Sequence, residues 1–152
     1  MRIAARVIAS VGIVFLVFGA LFALLIRIPN TPHWRSMQQA GLILSNHDAG
    51  NVDAANRAFD EWLRLADQTQ WIDSMVLPVV AAGVILLVWR TQPLSGIESG
   101  LVVMGFIMLM TWRQGSMQFD LRFAISVLLF TAVLGGGNAW IAARRLREPA
   151  AP

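Results

Sequence analysis

Few side chains in this sequence have the chemistry to bind a metal or move a proton. They are two histidines, His33 and His47, the adjacent Asp48, and the methionines Met104, Met108 and Met110. His33 with His47-Asp48 offers a weak metal pair, because two imidazoles without a fixed spacing lack the ligand geometry of a zinc site. Both histidines fall in a polar stretch dense in turn formers, and solvated turn residues are their expected role. The sequence has no cysteine, which removes disulfides, thiolate metal sites, iron–sulfur clusters and thiol catalysis together. Haem and bacteriochlorophyll-type pigments need a ligand at membrane depth, and neither histidine lies in an apolar run, so no cofactor is expected. Serine, histidine and aspartate share the polar stretch, but their spacing orders neither a triad nor a carboxylate pair.

Met104 and Met108 lie one helical turn apart in an apolar run. The pair is similar to the MxxxM of copper-transporter helices, whose thioethers select Cu(I), but the GxxxG helix that follows there is not found here at that distance. Methionine as gap-filling packing is the reading adopted. Near the end of the last apolar run, Gly135, Gly136, Gly137 and Asn138 are expected to break the helix and to permit close helix approach. Gly96 and Gly100 form a GxxxG, against which Ala132 and Gly136 could seat.

The elements that would carry these residues are membrane elements. Of the 152 residues, 57% are hydrophobic and 14% charged, against roughly 25% charged in a soluble domain. The expected fold is an all-α membrane protein, one integral domain over 1–152, with four transmembrane helices at about 7–27, 73–89, 97–112 and 122–143. The first reads as an uncleaved signal anchor, its apolar run being longer than a signal peptide's core. The second and third are short, which leaves a re-entrant pair open. Between the first two spans, residues 31–72 read as an amphipathic helical hairpin. Thr31-Pro32 opens one helix, 45–51 breaks it, and Asn51 or Asp53 caps the next.

The apolar stripe of that hairpin gives the candidate contact residues for a partner or lipid: Trp34, Met37, Leu44, Phe59, Trp62 and Leu63. All twelve cations are arginine, and they are scattered rather than striped with aromatics, so no nucleic-acid partner is expected. Arg2, Arg6, Arg90, Arg144, Arg145 and Arg147 crowd the shorter segments of one side. By that density both termini and the tail 144–152 are expected in the cytoplasm and the hairpin outside, and the expected location is a bacterial inner membrane. Trp71 and Trp112 would mark one interface, Trp89 and Trp140 the other. Glu98 is the acid nearest the membrane interior and is expected to be interfacial. With nothing ionisable at mid-membrane, ion-coupled transport lacks its usual groups. The leading expectation is a non-catalytic subunit or assembly factor of a larger membrane complex, with lipids and other subunits, or further copies of itself, as partners. The alternatives are a small oligomeric transporter or channel lined by Ser126, Thr131 and Asn138, and a membrane enzyme acting on lipid or quinone through His33, His47, Asp48 or Arg113.

Overall fold

The computed structural model describes residues 2–114 and 120–147. Glu148 and the rest of the expected tail lie outside the described residues, as do the side chains of Trp112 and Arg113. The described residues form five helices and no strand: α1 Arg2–Leu25, α2 Pro32–Asp48, α3 Val52–Val88, α4 Gly96–Gln114 and α5 Leu121–Arg147. Three of them, α1, α3 and α5, are long and apolar enough to cross a membrane, which fits an integral membrane protein. The apolar stretch of α4, Gly96–Thr111, is shorter.

Side-chain caps set most of the helix starts. Thr31 Oγ1 accepts from the Trp34 amide at 3.1 Å, and Pro32 takes the first helical position, where a missing N–H costs nothing. Helix α2 outlasts the expected break at Ser45 and runs to Asp48. It closes in a Schellman arrangement, with Asn51 N–H on the Asn46 carbonyl, Gly50 N–H on that of His47, and Gly50 at φ +70°. Asn51 then caps α3, its Oδ1 accepting from the Ala54 amide. Asp120 Oδ1 caps α5 through the Phe123 amide at 2.8 Å.

Two sequence expectations are corrected. The second hairpin helix and the second span are one unbroken helix, α3, of 37 residues. No glycine, proline or turn cluster separates Leu65 from Met75, so nothing in the sequence stops it. Its charges, Asp53 to Asp73, all lie in the first part, and Ser74 to Val88 carries none. Pro78, expected in a first turn, is therefore deep inside the helix and has no N–H for the Ser74 carbonyl. The Ser126 hydroxyl donates to that carbonyl at 3.0 Å, sharing its proton with the Arg122 carbonyl at 2.9 Å. The second correction concerns Gly135–Gly137, which do not interrupt α5. In an apolar medium a broken turn would leave amides and carbonyls unpaired, and that cost outweighs the weak helix propensity of glycine.

The chain divides into two compact units, Met1–Phe18 with Ser74–Pro152, and Gly19–Asp73. The first holds the main core, built on Val14 of α1, Ala81, Ala82 and Ile85 of α3, Val102 and Phe106 of α4, and Phe130 and Leu134 of α5. Phe106 and Phe130 stack with centroids 4.2 Å apart, and Phe18 meets Phe106 edge-on at 6.1 Å. In the second unit, Ala55, Ala58 and Leu65 of α3 are buried at helical spacing.

Candidate functional site

Within the second unit, the polar segment presents an apolar surface. Met37, Leu42 and Leu44 on α2, and Val52, Phe59 and Leu63 on α3, are all exposed, Leu44 at 67%. Trp34 and Trp62 are half-buried, and Trp62 stacks on Phe59 at 5.8 Å. The six candidate contact residues thus split. Met37, Leu44, Phe59 and Leu63 are open to a neighbour, while the two tryptophans are half-buried, Trp62 against Phe59. The sequence stripe included Phe59 and Leu63 because they share a broad face with Ala55. The residues buried with Ala55 are Ala58 and Leu65, three and ten positions further along the helix. A bidentate Arg64–Glu61 pair lies on the same exposed helix, at 2.6 and 2.9 Å. The hydrogen bond from Arg64 holds the Glu61 carboxyl below its ordinary value, and that same bond raises Arg64.

His33 is not a solvated turn residue. It sits in the first turn of α2, buried, with Nε2 2.9 Å from Asp73 Oδ1 and Phe22 edge-on to its ring. Its Nδ1 is buried without a hydrogen-bond partner. The pair is closed to substrate, and what it does is tie the start of α2 to the middle of α3. His47 lies fourteen residues further along the same straight helix, about 21 Å away, so the two imidazoles cannot share a metal. Nothing in the sequence links positions 33 and 73. Only the return of the chain through the Gly50 turn brings them together.

The first unit has its own polar cluster. Glu98, expected at the interface, is buried, with a side chain only 4% exposed. Its carboxylate accepts from Arg6 at 3.1 Å and from the Ser95 amide at 2.8 Å, and the Glu98 amide donates back to Ser95 Oγ. That reciprocal pair is a capping box, and Ser95-x-x-Glu98 was its readable signal in the sequence. The Arg6 guanidinium also donates to the Gln92 and Pro93 carbonyls and lies over the Trp89 ring at 4.7 Å. Trp89 Nε1 donates to the fully buried Ser10 at 3.0 Å.

Asn138, offered as a packing or pore residue, donates to Ser99 Oγ at 3.0 Å and joins α5 to α4. Among the glycines, only Gly137 of the triplet is closely approached, by the Leu86 side chain of α3. Gly96, Gly100, Gly135 and Gly136 face open space, so the expected seating of Gly96–Gly100 on Ala132–Gly136 does not occur. The stacked Phe106 and Phe130 fill the α4–α5 contact instead and are too large for the backbones to close on one another. Gly105, which the glycine motifs did not single out, is the close-approach site on α4, where a Cβ would come within 2.6 Å of Val11. Among the described residues no three His, Cys, Asp or Glu side chains converge on a metal-sized site. Comparison with protein-family models, with characterised proteins and with solved structures gives no match.

Proposed function

We propose that this chain is a non-catalytic integral membrane subunit or assembly factor, docking on its partners through the polar segment at 31–72. The reading rests on one observation above all. Met37, Leu44, Val52, Phe59 and Leu63 expose apolar area on helices that otherwise carry charge. A monomer in water gains nothing from that exposure, whereas a partner surface or the lipid boundary would bury it. In this reading the membrane is crossed four times, by α1, the apolar part of α3, α4 and α5. Both termini are cytoplasmic, 31–72 is extracytoplasmic, and the membrane is a bacterial inner membrane. Two of the three polar side chains such a pore would use are already engaged, Ser126 on carbonyls and Asn138 on Ser99, which lends the channel alternative less support.

The test is photocrosslinking in cells from single benzoylphenylalanine replacements at Phe59, Leu63 and Leu44. Discrete protein adducts are expected, and they should be absent from a replacement at Asp60. If none of the three sites crosslinks to protein, and the purified chain runs as a stable monomer that recovers no partner, the proposal is wrong. Orientation is tested separately. The chain has no native cysteine, so an impermeant maleimide reports single cysteines cleanly. His47→Cys should label in intact cells and Leu146→Cys only after lysis.

A further inference from the structure

At one end of the first unit, α3 and α5 leave a groove of about 540 Å³ between them. Its floor is apolar, formed by Gly83, Leu86 and Leu87 of α3 with Ile141 of α5. Gly83 keeps that floor open, since no atom lies within 4 Å of where its Cβ would sit. The rim is different in kind. Arg90, Arg144 and Arg145 surround the mouth, with Trp140 beside them.

We propose that this groove binds one anionic phospholipid, its acyl chain along the floor and its phosphate held by Arg90, Arg144 and Arg145. Three observations converge on an anion with a tail. Neither of the arginine–carboxylate pairs recorded among the described residues, Arg6–Glu98 and Arg64–Glu61, involves a rim arginine. Second, few of the guanidinium donors are used. Arg145 gives one N–H to the Arg90 carbonyl at 3.1 Å, and Arg144 lies over the Trp140 ring at 5.2 Å. Each guanidinium carries five N–H donors in a planar fork suited to phosphate oxygens, so most remain available. Third, the charged mouth opens onto an apolar floor. A free phosphate would satisfy the rim and leave the floor wet, and a neutral lipid would fill the floor and leave three cations crowded together. Only an anionic lipid answers both.

The positions suit the assignment. Arg90 lies two residues past the end of α3, and Trp140, Arg144 and Arg145 lie toward the C-terminal end of α5, so the mouth is at the ends of two helices apolar enough to span a membrane. Carbonyl ends of helices attract cations, which helps to hold the three arginines together before an anion arrives. The inference rests on α3 and α5 being membrane helices, and resistance of the membrane-bound chain to alkaline carbonate extraction scores that reading independently. It does not depend on the contact surface at 31–72.

The experiment is native mass spectrometry of the detergent-purified full chain titrated with dioleoyl phosphatidylglycerol, and with dioleoyl phosphatidylcholine as the neutral lipid of identical chains. A single phosphatidylglycerol adduct is expected, favoured at least tenfold over phosphatidylcholine. The Arg90→Gln, Arg144→Gln, Arg145→Gln triple variant replaces exposed side chains and should weaken it by roughly 100-fold, each cation near an anionic headgroup being worth about a factor of five. Gly83→Phe fills the floor with all three charges intact and should weaken it about tenfold. Equal binding of the two lipids would overturn the proposal, as would an adduct that survives in the triple variant. Unchanged binding by Gly83→Phe would replace a groove with diffuse surface charge, and displacement by millimolar inorganic phosphate would make the rim a free-anion site.

Discussion

Removing either member of the Arg6–Glu98 pair should destabilise the protein, and by unequal amounts. At 3.1 Å and an effective dielectric constant near 20, the two charges attract by about 5 kcal/mol. Burial offsets much of this, because each ion gives up several kcal/mol of hydration. The net value of the intact pair is therefore modest, while the cost of breaking it is high. Arg6→Ala leaves the Glu98 carboxylate, 4% exposed, with only the Ser95 amide, and removes the bonds to the Gln92 and Pro93 carbonyls as well. A loss of about 3–4 kcal/mol is expected. Glu98→Gln leaves an arginine that is 21% exposed, keeps both carbonyl acceptors and can swing its head toward water. Glutamine also preserves the capping box. About 1–2 kcal/mol is expected there.

The double variant should cost less than the two single variants combined, with a coupling of about 1–2 kcal/mol, because Glu98→Gln removes the charge that Arg6→Ala strands. Reversible unfolding in mixed micelles, titrated with sodium dodecyl sulfate and followed by tryptophan fluorescence, measures all four states. A coupling below about 0.5 kcal/mol would refute the reasoning, since it would mean that the pair is solvated. So would a Glu98→Gln variant that loses more than Arg6→Ala.

Four further outcomes can be read with the same assay. Ser126→Ala should cost about 1–2 kcal/mol by removing the donor to the Ser74 carbonyl that Pro78 cannot serve, and Pro78→Ala should reduce that penalty by supplying the missing amide. His33→Ala should cost about 1–3 kcal/mol because it removes a 2.9 Å hydrogen-bond partner of the buried Asp73, and a cost under 1 kcal/mol would show that the pair is not a tie between α2 and α3. Gly136→Ala should be neutral or stabilising by up to about 0.5–1 kcal/mol, whereas Gly137→Ala meets the Leu86 side chain and should cost about 1–2 kcal/mol, so equal effects would deny the close approach. Gly105→Ala should be worse than Gly137→Ala, at about 2–3 kcal/mol, since the obstacle is the Cγ2 of a β-branched valine, only two bonds from its own Cα and held stiffly there.

Local signals carried most of the secondary structure and very little of the polar chemistry. Thr31-Pro32, Asn51 and the turn at Gly50 could be read because a cap or a Schellman turn needs only neighbours within a few residues. Apolar runs revealed the three helices long and apolar enough to cross a membrane for the same reason. The continuity of α3 was missed because the change from polar to apolar residues near Asp73 looks like a boundary, although solvent polarity can change along a helix that never stops. The partners of His33 and Glu98 are 40 and 92 residues away, and no periodicity encodes a contact at that separation. The exposed contact residues were only partly legible. A stripe defines a face some 100° wide, and which edge of it is covered depends on where the next helix lies.

The placement of the polar groups in the first unit follows from what solvates it. If α1 lies in lipid, burying its leucines and phenylalanines against other helices gains little, because the acyl chains are as apolar as the protein. Consistent with that, Ser10 and Val14 are the only described residues of α1 that are fully buried, while Phe15 and Leu16 face outward. Directional bonds and close packing must then hold the helix in place, and α1 has both, in order along its length. Arg6 reaches Glu98, Ser10 accepts from Trp89, Val11 packs on the bare Gly105 backbone, and Phe18 meets Phe106. The first two bonds sit toward one end of the helix, where an arginine can be paired without dragging water to the membrane centre. The same logic explains why the buried Glu98 is kept. A hydrophobic residue there would take the carboxylate from Arg6 and from the Ser95 amide, and the acyl chains of a lipid offer no acceptor in its place.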